Sequence, residues 1–122
     1  MKQKVLIIDD EKDICNLLSS ILTGLGYNTL CCHSLSEGKF KLIEYHPDVL
    51  FLDIHLPDGN GLDDVPAFRN LNPKIPIMII SAYDSPGELK KAKSYEVNAF
   101  IRKPFNREQI IAALTSIHSM QS

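Results

Sequence analysis

The 122-residue chain predicts an α/β fold, five strand–helix units laid around one parallel sheet. Three observations carry this. Apolar runs such as Val5–Ile8, Val49–Leu52 and Ile77–Ile80 are short and unbroken by polar residues, the pattern of strands buried on both faces. Amphipathic stretches with helical spacing separate them. A polar or charged group then stands just past several strand ends: Asp9-Asp10, Asp53, Ser81 and Lys103-Pro104. Parallel strands share one direction, so these residues collect at the carboxyl edge of the sheet, where open α/β sheets build their sites.

After the first strand, Val5–Ile8, residues Ile14, Leu17, Leu18, Ile21, Leu22 and Leu25 recur at helical spacing as a core stripe, ended by Gly24 and Gly26. A weaker second strand covers Asn28–Cys32. Ser34 and Glu37 form a capping box for a helix through Phe40, Leu42 and Ile43, which Pro47 closes. The third strand, Val49–Leu52, leads into residues 53–61, where a proline, two glycines and an Asn-Gly pair read as a loop. Pro66 would remove a backbone donor inside the third helix, so a late start near Asp63 or Asp64, or a distorted first turn, is expected. Ile75–Ile80 is the fourth strand. Ser85, Pro86 and Glu88 combine an N-cap, a first-turn proline and a capping-box acid. Ala99–Ile101 is a short fifth strand, and Asn106 caps a last helix bearing Ile110, Ile111, Leu114 and Ile117. Without repeats, low-complexity stretches or linkers, residues 1–122 read as a single domain.

Bulk properties narrow the function. Thirteen Lys and Arg against fifteen Asp and Glu leave a net charge of −2 with no long basic run, which argues against nucleic-acid contact by this domain. Cys15, Cys31 and Cys32 cannot all pair, and adjacent strand residues face opposite ways, so free thiols in a reducing compartment are expected. The apolar stretch after Met1-Lys2-Gln3-Lys4 is too short for a signal peptide, and no run approaches membrane-spanning length. A soluble, cytoplasmic protein is expected. His33, His46, His55 and His118 show no metal-ligand spacing and are expected at the surface.

Asp9, Asp10 and Asp53 crowded at one edge repel one another, and burial raises their pKa values unless a cation joins them. A hard divalent ion, Mg²⁺ or Mn²⁺ in its place, meets that need with a few carboxylates, waters and phosphate oxygens. Lys103 adds positive charge, and Ser81 adds a hydroxyl donor for a phosphoryl oxygen. The set suits phosphoryl transfer to a carboxylate. Taken singly, each residue has a plainer role: acids ahead of a helix, a turn aspartate, a strand-end hydroxyl, a solvated lysine. Their convergence favours the site.

The runs Val5–Glu11 and Asp53–Gly61, with Ser81-Ala82 and Lys103-Pro104-Phe105, resemble the receiver domain of two-component response regulators of the chemotaxis-regulator type. The resemblance spans residues 3–119. It implies a flavodoxin-like sheet of order 2-1-3-4-5 with helices on both faces, and a signalling switch rather than an enzyme. Asp53 would take a phosphoryl group from a histidine kinase or histidine phosphotransfer protein. Asp10 would bind Mg²⁺ directly, Asp9 through water, and the His55 carbonyl would be a further ligand. Ser81 and Phe100 would form the switch pair that alters the face of the fourth helix, fifth strand and fifth helix. A cis peptide is expected at Lys103-Pro104, and His55 and Tyr83 would flank the approach to the phosphoryl group. Output would pass to a protein target or to a domain outside this chain. Glu96-Val97 replaces the family's usual Gly-Ala pair, and Asn98 is expected to adopt the left-handed conformation in its stead.

Three other readings compete. An aspartyl-nucleophile phosphatase of the haloacid dehalogenase type needs an acid two residues past the nucleophile, where this chain has His55. Flavin binding needs a phosphate loop after the first strand, where Asp-Asp-Glu would repel phosphate. A constitutive interaction module of the same fold would have no use for the acid set and Lys103.

Overall fold

A computed structural model describes residues 2–82 and 85–121, with side chains through residue 117. The strands are β1 (Lys4–Ile8), β2 (Asn28–Cys32), β3 (Val49–Asp53), β4 (Ile77–Ser81) and β5 (Ala99–Arg102). All pair in parallel, in the order β2-β1-β3-β4-β5. The helices are α1 (Lys12–Gly24), α2 (Leu35–Tyr45), α3 (Val65–Leu71), α4 (Pro86–Ser94) and α5 (Arg107–Gln121).

Alternation along the strands sorts the core into two layers. Val5, Ile7, Phe51, Met78 and Ile80 pack toward α1 and α5, while Leu6, Ile8, Leu50, Leu52, Ile77 and Ile79 pack toward α2, α3 and α4. Each fully buried Leu or Ile contributes about 1.5–3 kcal/mol. Both faces are covered, which is why these strands lack the polar alternation of a half-exposed sheet. Cys31 and Cys32 fall on opposite faces, and all three cysteines are free thiols.

Local chemistry sets the helix starts. Ser34 Oγ accepts from Glu37 N–H at 3.2 Å, and Ser85 Oγ accepts from Glu88 N–H at 3.2 Å. Asn106 and Gln109 cap each other, through Oδ1 at 2.9 Å and Oε1 at 2.8 Å. Pro66 lies in the first turn of α3, where no intrahelical donor is lost, so the helix begins at Val65.

Several expectations need correction. The fourth strand opens at Ile77 rather than Ile75, because Pro76 has no N–H to donate, although its carbonyl accepts from Leu50 N–H at 3.0 Å. Asp53 ends β3, and within the expected loop His55–Leu56 pairs antiparallel with Gly59–Asn60 as a two-residue ribbon. Leu17 faces outward, 45% exposed, so helical spacing alone misassigned it to the core stripe, and Phe40 and Ile43 on α2 are also outward, 60% and 58% exposed. Glu96, not Asn98, takes the left-handed conformation, with φ of 55°. Asn98 instead clamps β5 to β4, donating its N–H to the Ile77 carbonyl at 2.8 Å and accepting the Ile77 N–H on Oδ1 at 2.9 Å.

Glu96 is forced into that conformation by the end of α4. Its N–H donates to the Lys93 carbonyl at 3.0 Å, and Val97 N–H donates to the Ala92 carbonyl at 3.2 Å, a Schellman closure that glycine normally serves. Gly26 serves it at the end of α1, with φ of 97°. A Cβ in the left-handed region costs about 1–2 kcal/mol, part of which glycine gives back through the freedom of its unfolded chain. Glu96→Gly should therefore stabilise the domain by about 0.5–1 kcal/mol in urea unfolding. A loss of stability would mean that the attraction between the Glu96 carboxylate and Arg69 outweighs the strain.

Candidate functional site

The carboxyl edge of the sheet gathers the expected residues. Asp9 continues β1, its N–H donating to the Cys32 carbonyl at 3.0 Å, and Asp10 and Glu11 lead from it into α1. Asp53 and Ser81 are the last residues of β3 and β4, and Lys103 directly follows β5 and precedes a cis Lys103-Pro104 peptide. Lys103 N–H donates to the Ser81 carbonyl at 2.8 Å, which registers the lysine against the hydroxyl-bearing strand end. Asp9, Asp53 and Ser81 are buried.

The Lys103 ammonium, on a side chain only 8% exposed, sits 2.9 Å from Asp9 Oδ2, 3.1 Å from Glu11 Oε1 and 3.4 Å from Asp53 Oδ2. Burial opposes its charge, but the three carboxylates outweigh burial and hold its pKa above the usual lysine range. Asp53 is pushed the other way. Burial, and then repulsion from Asp9, raise its carboxyl to about 6 against the pull of Lys103.

Carboxylate oxygens of Asp9, Asp10, Glu11 and Asp53 all lie within 4.8 Å of one another, a group that can hold a metal ion. The residues fit a cation on a second count. Asp9 Oδ2 is buried and has no well-directed hydrogen bond, its contact with Lys103 being an ion pair only. Asp9 Oδ1 is engaged, accepting from Glu11 N–H at 2.9 Å. Asp10, Glu11, Asp53, His55, Ala82 and Lys103 line the cleft above the cluster.

Backbone geometry also shapes the loop after β3. A Cβ on Gly61 would lie 2.0 Å from the Asp53 carbonyl oxygen, so only glycine lets the chain return against the strand end, where Gly61 N–H donates to the Ile54 carbonyl at 2.7 Å. Asp58, in the same loop, accepts from Leu35 N–H at 2.8 Å and Ser36 N–H at 3.0 Å at the start of α2. These two backbone donors hold its carboxyl below the usual range.

Ser81 and Phe100 lie on the same face of the sheet, the ring partly buried beside α4 and Ser81 paired in register with Arg102. His55 is half exposed, with Nε2 3.6 Å from Glu88 Oε2 on α4. Tyr83 lies outside the described residues, as does the side chain of His118. His33 corrects the expectation of a plain surface histidine. It follows β2, is half-buried, and donates from Nδ1 to the Asp9 carbonyl at 2.9 Å. Reasoning from the sequence also passed over Glu11, Asp58 and Glu88 as partners of the site. For His33 and Glu11 a signal was present, since both follow strand ends at the same edge.

Residues 5–115 match the response regulator receiver domain family. The transcriptional regulatory protein KdpE of Staphylococcus aureus is 34% identical over 117 residues, covering 96% of this chain and 50% of that protein. The transcriptional regulatory protein CpxR of Escherichia coli is 30% identical over 116 residues, covering 93% and 48%. The chain thus spans about half the length of these relatives. A two-component response regulator from Clostridium difficile superposes with a TM-score of 0.91 at 27% identity, covering 99% of this chain and all of that one.

The raised Asp53 pKa has a measurable consequence in metal-free protein. A folded-state value near 6, above an unfolded value near 4, means the folded state binds more protons between them. Asp53 therefore costs stability at neutral pH, and the cost fades as pH falls toward 4. Asp53→Asn should stabilise the domain by about 2 kcal/mol in urea unfolding with a chelator near pH 7.5, and by almost nothing near pH 4. An equal gain at both pH values would remove ionisation as the cause.

Proposed function

Because this chain belongs to the response regulator receiver domain family, we propose that Asp53 takes a phosphoryl group from the phosphohistidine of a histidine kinase or phosphotransfer protein. The observation that carries the reading is the Lys103 ammonium held between Asp9 and Asp53 at the mouth of a four-carboxylate cleft. The Asp53 carboxylate attacks phosphorus, the new O–P bond forming as the N–P bond to the donor imidazole breaks. Lys103 pairs with one phosphoryl oxygen, and the Ser81 hydroxyl donates to another. Asp9, Asp10, Asp53 and the His55 carbonyl would hold Mg²⁺ or Mn²⁺, which supplies charge neutralisation for the arriving phosphoryl group. The chain thus acts as a switch that takes part in its own phosphorylation and dephosphorylation.

The signal leaves along α4, β5 and α5. Drawing Ser81 toward the phosphoryl group opens room on the face it shares with Phe100, and the ring turns inward. Of the described residues of α4, Ala92 alone is buried, so the helix can shift at small cost. Exposed Lys90, Lys91, Arg102 and Arg107 present the state to a partner. Residues 1–122 act as one domain whose output lies in a protein target or in a further domain, as the length of its relatives suggests. With a net charge of −2, this domain makes no nucleic-acid contact of its own. No described helix is long and apolar enough to cross a membrane. The reading places the domain in the cytoplasm, with its kinase.

Acetyl phosphate with Mg²⁺ should modify Asp53 alone, and Asp53→Asn should abolish labelling, since an amide is a poor nucleophile. Beryllofluoride should change hydrogen exchange in α4, β5 and α5. Labelling of the Asn variant, or exchange changes confined to α2 and α3, would sink the assignment.

The phosphorylated state should be long-lived. Hydrolysis needs a water in line with the Asp53–phosphorus bond, and large side chains two residues past Asp53 and two past Ser81, His55 and Tyr83 in this sequence, would crowd that approach. Tyr83→Ala and His55→Ala should each speed phosphate loss severalfold with labelling capacity unchanged. Slower decay in both variants would show that the rings orient the water instead.

A further inference from the structure

The boundary between α1 and β2 holds a second cluster that phosphoryl transfer does not use. Cys15, buried on the first turns of α1, donates its thiol to the Asp9 carbonyl at 3.4 Å, the same oxygen that receives His33 Nδ1–H. Cys31, on β2, directs its sulfur to the Cys15 carbonyl at 3.8 Å, so the two cysteines touch across the boundary between α1 and β2. His33 Nδ1 is also 4.0 Å from Cys15 Sγ, so the ring edge that donates to Asp9 borders the pair. β2 is an edge strand and Cys31 is half-buried, which gives a small oxidant a path from solvent. Cys32, one residue on, points into the opposite layer and is fully buried.

We propose that Cys15 and Cys31 form an oxidation-responsive thiol pair that closes to a disulfide under a hydroperoxide and thereby perturbs the Asp9 end of the acidic cleft. Cys31 is the half-buried sulfur, on the edge strand, and contact with Cys15 and then the nearby His33 lower its pKa against the burial that raises it, so Cys31 reacts first. The Cys31 thiolate attacks one peroxide oxygen. The S–O bond forms, the O–O bond breaks, and the other oxygen leaves as an alcohol or water with a proton from solvent. Cys15 sulfur then attacks the sulfenic acid. The S–S bond forms, the S–O bond breaks, and the hydroxyl leaves as water with the Cys15 proton. Two thiols have lost two electrons, and the peroxide has gained them.

Closure also acts on the cleft. It removes the Cys15 hydrogen bond to the Asp9 carbonyl and draws the start of α1 toward β2. Asp10 and Glu11 lie on the short connection between Asp9 and α1, so they move with it. None of this requires Asp53 to be the phosphoacceptor.

The test uses the whole protein, metal-free, treated with hydrogen peroxide. Non-reducing peptide mapping should find Cys15 joined to Cys31 within one chain, with Cys32 alkylated only after unfolding. Cys31→Ser should abolish the link and leave Cys15 reduced, while Cys32→Ser should leave the link intact. The amide resonances of residues 9–11 should shift on oxidation and return with a dithiol. A Cys31–Cys32 link, links between chains only, or no link would overturn the pair. A Cys15–Cys31 link that leaves those amides in place would overturn its coupling to the cleft.

Discussion

One ammonium group stands between three carboxylates at the carboxyl edge of this sheet. Lys103 bridges Asp9 and Asp53, which are buried, and reaches out to Glu11 at the cleft mouth. Without it, the strand ends of β1 and β3 would bring two acids together in a medium where like charges repel strongly. Even with it, the balance is incomplete. Four carboxylates meet one lysine; burial and then Asp9 keep Asp53 hard to ionise, and Asp9 Oδ2 lacks a directed partner. That residual negative charge is what a divalent cation would neutralise.

Around this centre, the loop after Asp53 is tied in three directions. Gly61 returns the chain against the Asp53 carbonyl, Asp58 caps the start of α2, and His55 reaches Glu88 on α4. Further along, Lys39 on α2 binds Asp64 at 2.8 Å, and Lys91 on α4 binds Asp63. These surface pairs are individually weak. Their value lies in placement, since each joins the segment after Asp53 to a helix that packs on the same sheet face. A change at Asp53 therefore meets α2 and α4 through contacts that already exist, and α4, anchored by a single buried residue, resists least.

The opposite rim shows how the chain closes α4 without a glycine. Glu96 accepts a strained conformation because the last carbonyls of α4 need partners, and its own carbonyl receives Arg69 Nη2 at 3.3 Å. Asn98 then pins β5 to β4. Turn chemistry at the bottom of the sheet thus holds the register that sets Ser81 and Lys103 side by side at the top.

Much of this was legible in the residues. Short apolar runs and caps at Ser34, Ser85 and Asn106 determined the five strand–helix units, because burial on two faces and unpaired helix donors leave local marks. The positions of Asp9, Asp10, Asp53, Ser81 and Lys103 followed from strand direction alone. Other features lay beyond it. Which helical apolar residues face solvent depends on how helices seat on the sheet, so Leu17, Phe40 and Ile43 could not be sorted by spacing. Glu96 rather than Asn98 turned left-handed because the end of α4 was set by hydrogen bonds back to Ala92 and Lys93. Asp58 gained its role only when the loop after β3 met the start of α2, far from it in sequence. A sequence encodes periodicity and local capping directly, but pairing between side chains dozens of residues apart exists only once the sheet has closed.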